Sequence, residues 1–179
     1  MVQIHDKIFE PYLSEFEIQK IVGSMATRMA ELKDENPLFI IILKGSFIFA
    51  SDLVKALDFD AELSFMQLKS YIGTESSGEV KDIIGVPKNI KGRTVVVLED
   101  IIDTGNTLDY LNKRLLQEEP KNIYYASLFL KPSVYKKSIP IDYVGKEIPN
   151  EFIVGYGLDY EELGRTLPQI YKLKKSQKC

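Results

Sequence analysis

The sequence lacks several features that would assign it to a particular class of protein. Its 179 residues include one cysteine, Cys179, so no disulfide framework can form within the chain, and a reducing compartment fits. The net charge of −3 argues against broad binding to nucleic acid or to anionic membranes. No apolar run approaches the roughly 20 residues of a bilayer-spanning helix, and the N-terminus lacks the basic and apolar regions of a signal peptide. We therefore expect a cytoplasmic protein without nucleic-acid or membrane partners.

Two common nucleotide-binding loops are also missing. A Walker A loop needs a lysine after its second glycine, but the nearest match, residues 73–78, is followed by Glu79. A dinucleotide fingerprint needs a third glycine after the pair in residues 155–157, and Tyr160 stands there instead. The only histidine, His5, lies outside every motif described below, so we expect it to be structural or on the surface.

The residues that are present predict one globular α/β domain. Apolar residues make up 45% of the chain and charged residues 27%, which is ordinary for a soluble domain of this length. Ser14 followed by Glu17 is a capping-box pattern, which predicts a helix to about Lys33. Strands alternating with helices indicate a parallel sheet, whose ligands bind at the carboxyl ends of the strands. The other predicted strands are residues 38–43, 61–69, 80–86, 95–98 and 123–130, and the other predicted helices end near residue 57 and span 107–117.

One stretch, VVVLEDIIDTGNTL at residues 95–108, combines a buried strand, three acids and a glycine turn. Gly105 allows a close backbone approach, and the following helix presents unpaired N–H groups at the positive end of its dipole. Thr104 and Thr107 add hydroxyl donors. The turn at residues 103–107 therefore predicts a phosphate site.

The adjacent acids, Glu99 and Asp100, would repel a phosphate ligand unless they bind something else. Carboxylates accept hydrogen bonds from a vicinal diol and also bind hydrated magnesium. A sugar with a phosphate and a diol meets both demands. The plainer alternative is that the two acids cap a helix or pair with lysines.

Several segments in the same order resemble hypoxanthine-guanine phosphoribosyltransferases, within the type I family that uses 5-phosphoribosyl-1-diphosphate (PRPP). The resemblance implies a central, mainly parallel sheet flanked by helices, and a single domain over residues 1–179. A small hood is expected from about residues 1–13 and 140–179. Glu151 and a short N-terminus depart from the mammalian form and indicate a bacterial type. The matching segments are residues 43–46, 70–71 with the loop that follows, 99–105, 130–132 and 144–160.

The resemblance implies a role for each residue that would bind PRPP. Glu99 and Asp100 would hold the ribose hydroxyls, partly through Mg²⁺, and Asp159 would be associated with a second Mg²⁺. Lys44, Gly45 and Arg165 would bind the diphosphate, and in the family the peptide bond before this lysine can be cis. The residues expected around the 5′-phosphate are Asp103, Thr104, Gly105, Asn106 and Thr107.

A second group would bind the purine. By resemblance, Asp103 faces N7 and acts as the general base, Lys131 donates to O6, and Phe152 stacks on the base. The Ile153 backbone would read the purine edge, and Asp159 is expected among the purine-binding residues. Ser70 and Tyr71 begin a loop that closes over the site. The plainer alternatives are a turn cap for Asp103, a surface lysine for Lys131, a core aromatic for Phe152 and an ion pair of Arg165 with Glu161 or Glu162.

The activity implied is purine salvage. PRPP and hypoxanthine or guanine would give IMP or GMP and diphosphate, in a homodimer or homotetramer. Two alternatives stay open at this point: a PRPP-binding regulator with the same fold, and a phosphoribosyltransferase that prefers xanthine.

Overall fold

The structure, a computed structural model, describes residues 1–70, 80–87 and 89–174. None of the helices in these ranges has the length and apolar character needed to cross a membrane. The helices are α1 (Glu15–Met29), α2 (Phe47–Ala56) and α3 (Asn106–Leu116), with a 3₁₀ helix at Ala30–Glu35. The strands are β1 (Val2–Ile4), β2 (Lys7–Leu13), β3 (Leu38–Leu43), β4 (Glu62–Ser70), β5 (Val80–Ile84), β6 (Thr94–Ile102), β7 (Asn122–Leu130), β8 (Tyr143–Glu147), β9 (Ile153–Val154) and β10 (Ile170–Leu173).

The main sheet has six strands in the order β5-β4-β3-β6-β7-β8. All neighbouring strands in it run parallel except β4 and β5, which are antiparallel. The expected α/β fold with a central, mainly parallel sheet is thereby confirmed. The parallel arrangement brings the carboxyl ends of β3, β6 and β7 to one edge, where the predicted motifs follow these strands.

The main sheet is buried on both faces because its strands alternate between two hydrophobic clusters. Phe39 and Ile41 of β3 pack in the cluster that contains the buried faces of α1 and α2. Ile40 of β3 and Val97 of β6 belong to the second cluster, together with Leu111 of α3. This layering explains the continuous apolar runs of β3 and β6, since neither face of either strand meets water.

Helix α1 begins with the capping box that the sequence predicts. Ser14 Oγ accepts the Glu17 N–H at 3.3 Å, and the Glu17 carboxylate accepts the Ser14 N–H at 2.8 Å. Such a cap stabilises a helix by about 1 kcal/mol. The α-helix ends at Met29, and the last turns of the predicted helix are the 3₁₀ helix.

The second sheet, which we call the hood, is four-stranded and antiparallel in the order β1-β2-β10-β9. It has a small cluster of its own that includes Phe9, Val154 and Tyr171. The C-terminal part of the hood was expected to start near residue 140, but Tyr143–Glu147 lies in the main sheet as β8. The reason is register: β8 continues the parallel ladder beside β7, from Ala126 to Leu130.

Strand β6 is longer than its apolar run. The sequence predicts a strand at residues 95–98, but pairing with β7 continues to Ile102, opposite Leu130. Glu99 and Asp100 therefore lie inside the last part of the strand and not after it. Backbone pairing holds these two acids in place at the sheet edge where the cavity opens.

Candidate active site

A cavity of about 270 Å³ opens at the carboxyl ends of β3 and β6. It brings together two motifs that are more than 50 positions apart in sequence, Gly45 after β3 and residues 99–107 after β6. The residues that line it are Ile42, Leu43, Gly45, Leu68, Glu99, Asp100, Ile101, Ile102, Asp103, Thr104, Gly105, Asn106, Thr107 and Leu108.

The turn at residues 103–107 forms one wall of this cavity. Gly105 is the N-cap of α3 with φ 83°, and no side chain caps the helix. A Cβ atom at residue 105 would lie 2.5 Å from Cε2 of Tyr135, so both the conformation and the packing require glycine. The first N–H groups of α3 therefore have no capping side chain and remain available to an anion.

Of the two acids of β6, Glu99 is buried and Asp100 is half-buried, which is unusual for carboxylates. Glu99 is 8% exposed, and burial, followed by the charge of Asp100, raises its pKa well above the usual range. Burial also raises the pKa of Asp100 to about 6, against the opposing effect of the hydrogen bond that it accepts from Ile101 N–H at 2.8 Å. Two carboxylates in this environment favour a bound cation or hydrogen-bond donors from a ligand.

Gly45 is required because Asp100 occupies the space beside it. A Cβ atom at residue 45 would lie 1.7 Å from Asp100 Oδ2. The carboxylate of β6 therefore packs directly on the backbone of the loop after β3. The Leu43–Lys44 peptide bond in this loop is cis, one of the two forms that the resemblance allows.

Lys131 and Asp103 form an ion pair at the end of β7. Lys131 is 7% exposed, and its Nζ lies 3.0 Å from Asp103 Oδ2. The Lys131 N–H donates to Ile102 O at 3.0 Å, which joins the residue to the end of β6. Lys131 is therefore not a surface lysine, and Asp103 does not cap α3.

On the hood side of the site, Phe152 is partly exposed. Its side chain is 45% exposed, and its ring meets Tyr160 edge-on at 5.8 Å and Phe9 at 6.2 Å between centroids. It is a supported aromatic with free surface and not a buried core residue. Ile153 follows it as the first residue of β9, opposite Lys172.

The hood also carries Arg165 and Asp159. Arg165 Nη2 lies 2.8 Å from Asp159 Oδ1, and 3.6 Å from a carboxylate oxygen of the exposed Glu162. Arg165 Nη1 donates to Gly157 O at 2.9 Å. The main ion pair of Arg165 is thus with Asp159, although the alternative partner Glu162 is also in range.

A second cavity, of about 460 Å³, lies between the loop after β3 and the hood. Lys44 and Arg165 both line it, and Lys44 Nζ pairs with Glu162 at 3.1 Å. Because this pair is exposed, it contributes little stability and can be replaced by a ligand. The other lining residues are Leu43, Gln67, Leu68, Ile83 and Glu162 itself.

The expected lid residues give a divided result. Ser70 is the last residue of β4, and Tyr71 lies outside the described residues.

Among the described ranges, no three acidic, histidine or cysteine side chains converge on one point as a metal cluster would require. The predicted acids Glu99, Asp100 and Asp159 therefore do not form a three-ligand cage by themselves.

The β1–β2 turn contacts the site through Tyr160, and no motif in the sequence indicates this contact. Tyr160, which supports Phe152, donates its hydroxyl to Asp6 at 2.8 Å, and Lys7 Nζ lies 3.9 Å from the Tyr160 ring centroid. The His5 ring meets Tyr160 edge-on at 5.7 Å. No spacing pattern could reveal this cluster, since its two parts are separated by about 150 residues.

Comparison with known proteins identifies the class. A family model described as phosphoribosyl transferase domain matches residues 12–161. The chain therefore belongs to the phosphoribosyltransferase family. Relatives named hypoxanthine-guanine phosphoribosyltransferase are among its matches, as the resemblance predicted.

Three relatives each match nearly the whole chain. Hypoxanthine-guanine phosphoribosyltransferase of Lactococcus lactis is 47% identical over 94% of this chain and 93% of its own length. A solved hypoxanthine phosphoribosyltransferase from Staphylococcus aureus has a TM-score of 0.87 and 40% identity, over 95% of this chain and 94% of that one. The bifunctional protein TilS/HprT of Listeria innocua is 42% identical over 96% of this chain, which spans only 27% of that protein.

Proposed function

We propose that the chain transfers the 5-phosphoribosyl group of PRPP to N9 of hypoxanthine, and of guanine, giving IMP or GMP and diphosphate. One observation carries the proposal: the phosphate turn and the buried acids line the same cavity, beside the Lys131–Asp103 pair. The printed names of the Lactococcus and Staphylococcus relatives support the same reaction. A regulator of the same fold would not need the base-side residues.

The ribose 5-phosphate of PRPP fits the wall formed by β6 and α3. The exposed hydroxyls of Thr104 and Thr107 and the N–H groups around Gly105 are donors for phosphate oxygens. Glu99 and Asp100 are acceptors for the ribose diol. Because these two acids lie inside β6 and the donors follow the strand, the diol acceptors and the phosphate donors occupy different parts of the cavity, as a sugar phosphate requires.

The donor set also fits Mg²⁺. Magnesium prefers oxygen ligands and commonly binds through one or two carboxylates together with substrate phosphates, so a three-residue cage is not needed. Glu99 and Asp100 would hold the ion, and Asp159 would be associated with a second one. When bound with PRPP, Mg²⁺ supplies positive charge that offsets the charge on the departing diphosphate.

The purine fits between β7 and the hood. Lys131 is buried, and its ammonium group lies beside the carboxylate of Asp103. A 6-oxopurine can therefore accept a hydrogen bond from Lys131 at O6 while its N7 faces Asp103. The exposed face of Phe152 is a stacking surface, and the Ile153 backbone would read the purine edge. Binding of the base would replace part of the Lys131–Asp103 contact.

The departing diphosphate fits the second cavity. Arg165 and Lys44 both line it, and Gly45 follows Lys44 in the loop after β3. Within the described residues, Arg165 Nε is buried without a hydrogen-bond partner, which leaves one guanidinium donor for a ligand oxygen. Guanidinium and backbone donors placed there would stabilise the charge that develops on the leaving group.

In the reaction, the bond between N9 of the base and C1′ of the ribose forms while the bond between C1′ and the diphosphate oxygen breaks. Asp103 accepts the proton displaced from the base, and Lys131 stabilises charge on O6. Arg165 and the Lys44–Gly45 amides hold the diphosphate as it leaves. The loop that begins at Ser70 and Tyr71 would exclude water from the ribosyl cation.

The proposal is tested by incubating the chain with PRPP, Mg²⁺ and one base at a time. We expect IMP from hypoxanthine and GMP from guanine, detected by chromatography. Adenine is the matched control, because it lacks the O6 acceptor for Lys131 and should give little product. Absence of product with both hypoxanthine and guanine would overturn the proposal, and product from xanthine alone would establish the xanthine-preferring alternative.

We also propose that the chain assembles as a homodimer or homotetramer through the β4–β5 edge. Leu63 and Phe65 are two positions apart, so they share one face of β4, and they are 41% and 46% exposed. Ile84 of β5 lies on the same face, because it pairs with Gln67. Contiguous exposed apolar surface of this kind marks association sites.

The assembly is tested by sedimentation of Phe65→Asp beside wild type. We expect the variant to sediment as a monomer, because a charge would be buried in the interface. Phe16→Asp on α1, where the side chain is 68% exposed, is the control and should sediment as wild type does. A monomeric wild type at assay concentration would contradict the assembly.

We also propose that the protein is cytoplasmic, as its sequence predicts. It is supported by the salvage reaction itself, which uses phosphorylated substrates, and by the single cysteine. Cell fractionation with an antibody to the chain would test it.

A further inference from the structure

Residues 155–167, which we call the hood loop, form a closed unit. The Tyr156 N–H donates to Leu167 O at 2.8 Å, and the Gly157 N–H donates to Arg165 O at 3.0 Å. The Arg165 side chain in turn donates a hydrogen bond from Nη1 to Gly157 O at 2.9 Å. These bonds make the position of Arg165 depend on the position of the backbone at residues 156 and 157.

The hood loop rests directly on the loop that follows β3. A Cβ atom at residue 157 would lie 2.0 Å from the carbonyl oxygen of Gly45, so the Gly157 backbone is in contact with that oxygen. Gly157 has φ 101°, a conformation that favours glycine. The loop that carries Lys44 and the hood loop that carries Arg165 therefore meet at this point.

Tyr156 anchors the hood loop in the main core. It is 3% exposed and packs in the cluster of α1 and α2, although its backbone has φ 49°. A tyrosine stays in this left-handed conformation only when its surroundings hold it there. Its hydroxyl donates to Asp52 Oδ2 at 2.7 Å.

Asp52 is held as a charged acceptor. Burial opposes the charge, but hydrogen bonds from Lys55, Tyr156 and Gln19 outweigh it and keep the pKa of Asp52 below its usual range. Gln19 Nε2 donates at 2.7 Å, and Lys55 Nζ lies at 2.7 Å. Burial raises the pKa of Tyr156, followed by the effect of Asp52, so its hydroxyl remains a donor.

Helix α2 connects this anchor to the diphosphate loop. It begins at Phe47, directly after Lys44–Gly45, and Asp52 lies in its second turn. At about 1.5 Å of rise per residue, Asp52 is within roughly 10 Å of the start of the helix. One short helix thus carries the Lys44–Gly45 loop at its end and the acceptor for Tyr156 on its side.

We propose that Tyr156 and Asp52 form a latch that sets the spacing between Arg165 and the Lys44–Gly45 loop. Both are positioning residues for the diphosphate, and neither touches the reacting atoms. The inference rests on the proposed function, because it assigns a task to the diphosphate side of that same site.

The latch is tested with Tyr156→Phe, which removes the hydroxyl and keeps the ring. Calorimetric titrations with diphosphate and with IMP, both in Mg²⁺ buffer, would give the two affinities. We expect diphosphate affinity to fall about tenfold, since small misplacement of binding groups has large effects. IMP affinity should change less than about twofold, because IMP carries no group in the diphosphate cavity.

The matched control is Tyr143→Phe. Tyr143 is 4% exposed and donates its hydroxyl to Glu31 at 2.7 Å, in a contact outside the site. It should lower the melting temperature about as much as Tyr156→Phe does and leave both affinities unchanged. Asp52→Asn keeps an acceptor for Tyr156 and should retain diphosphate affinity, whereas Asp52→Ala should lose it as Tyr156→Phe does.

Each outcome has a separate meaning. If wild type binds diphosphate and Tyr156→Phe and Asp52→Ala bind it equally well, the latch is wrong and the proposed function stands. The latch is also wrong if diphosphate and IMP affinities fall together, because the hydrogen bond would then be merely structural. If wild type binds neither compound, both the proposed function and the latch are overturned.

Discussion

Replacing Asp103 by asparagine is expected to lower kcat by about 10²–10⁴-fold, the range that general-base catalysis supplies. Asparagine has the same shape and can still accept a hydrogen bond from Lys131, which lies 3.0 Å from the carboxylate. It cannot accept the proton displaced from the base. The KM for PRPP should therefore stay within about threefold of wild type, in initial-rate measurements with hypoxanthine.

Asp109→Asn is the matched control for this variant. Asp109 is an acid in the first turn of α3, six positions along the chain, and it pairs with Lys113 at 2.8 Å. Its loss should leave kcat unchanged, because its carboxylate is directed to the helix surface. An unchanged kcat in Asp103→Asn would remove Asp103 from the role of base.

The second large effect concerns Asp100, where stability and ligand binding should change in opposite directions. Burial raises its pKa from 3.8 to about 6 in the folded chain. A shift of this size corresponds to about 3 kcal/mol. Asp100→Asn should therefore raise the free energy of unfolding by up to about 3 kcal/mol at pH 8, and weaken PRPP binding about 10- to 100-fold through the lost charged acceptor.

The sign follows from proton linkage. Because the folded chain binds this proton more tightly than the unfolded chain, the term that Asp100 adds to stability is fully favourable below about pH 4. It is lost as the pH rises through about 6. The gain from Asp100→Asn should accordingly be absent at pH 4 and complete near pH 8. Urea unfolding at several pH values measures it.

Asp60→Asn provides the comparison for Asp100. Asp60 is an exposed acid between α2 and β4, and its replacement should change stability by less than about 0.5 kcal/mol at any pH. Equal stability of Asp100→Asn and wild type at pH 8 would show that burial does not act on this carboxylate. Unchanged PRPP affinity would show that Asp100 does not bind the ribose.

The local features of the site were readable because each depends on neighbouring residues. The capping box at Ser14 and Glu17 and the phosphate turn around Gly105 arise from short-range hydrogen bonding and backbone freedom. The layered sheet follows from strand and helix periods. The family resemblance joined these local features, because several motifs occur in the same order, and the comparisons confirmed that family.

Other features could not be predicted because they depend on distant segments. The hood boundary failed because β8 finds its ladder beside β7, and that choice depends on sheet register. Gly45 was expected to bind the diphosphate, and its contact with the carboxylate of Asp100 could not be foreseen. The raised pKa of Asp100 results from burial, which sequence order does not report.

The sequence by itself predicted a site for a sugar phosphate, from its acids and its glycine turn, and the family resemblance added the prediction of a lysine and an aromatic for a base. The tertiary structure alone decided which of these meet. It placed Lys131 against Asp103, the hood loop against Gly45, and the Tyr156 hydroxyl against Asp52. The physical reason is that residue type sets what a side chain can bind, whereas packing between segments sets its distance, burial and charge.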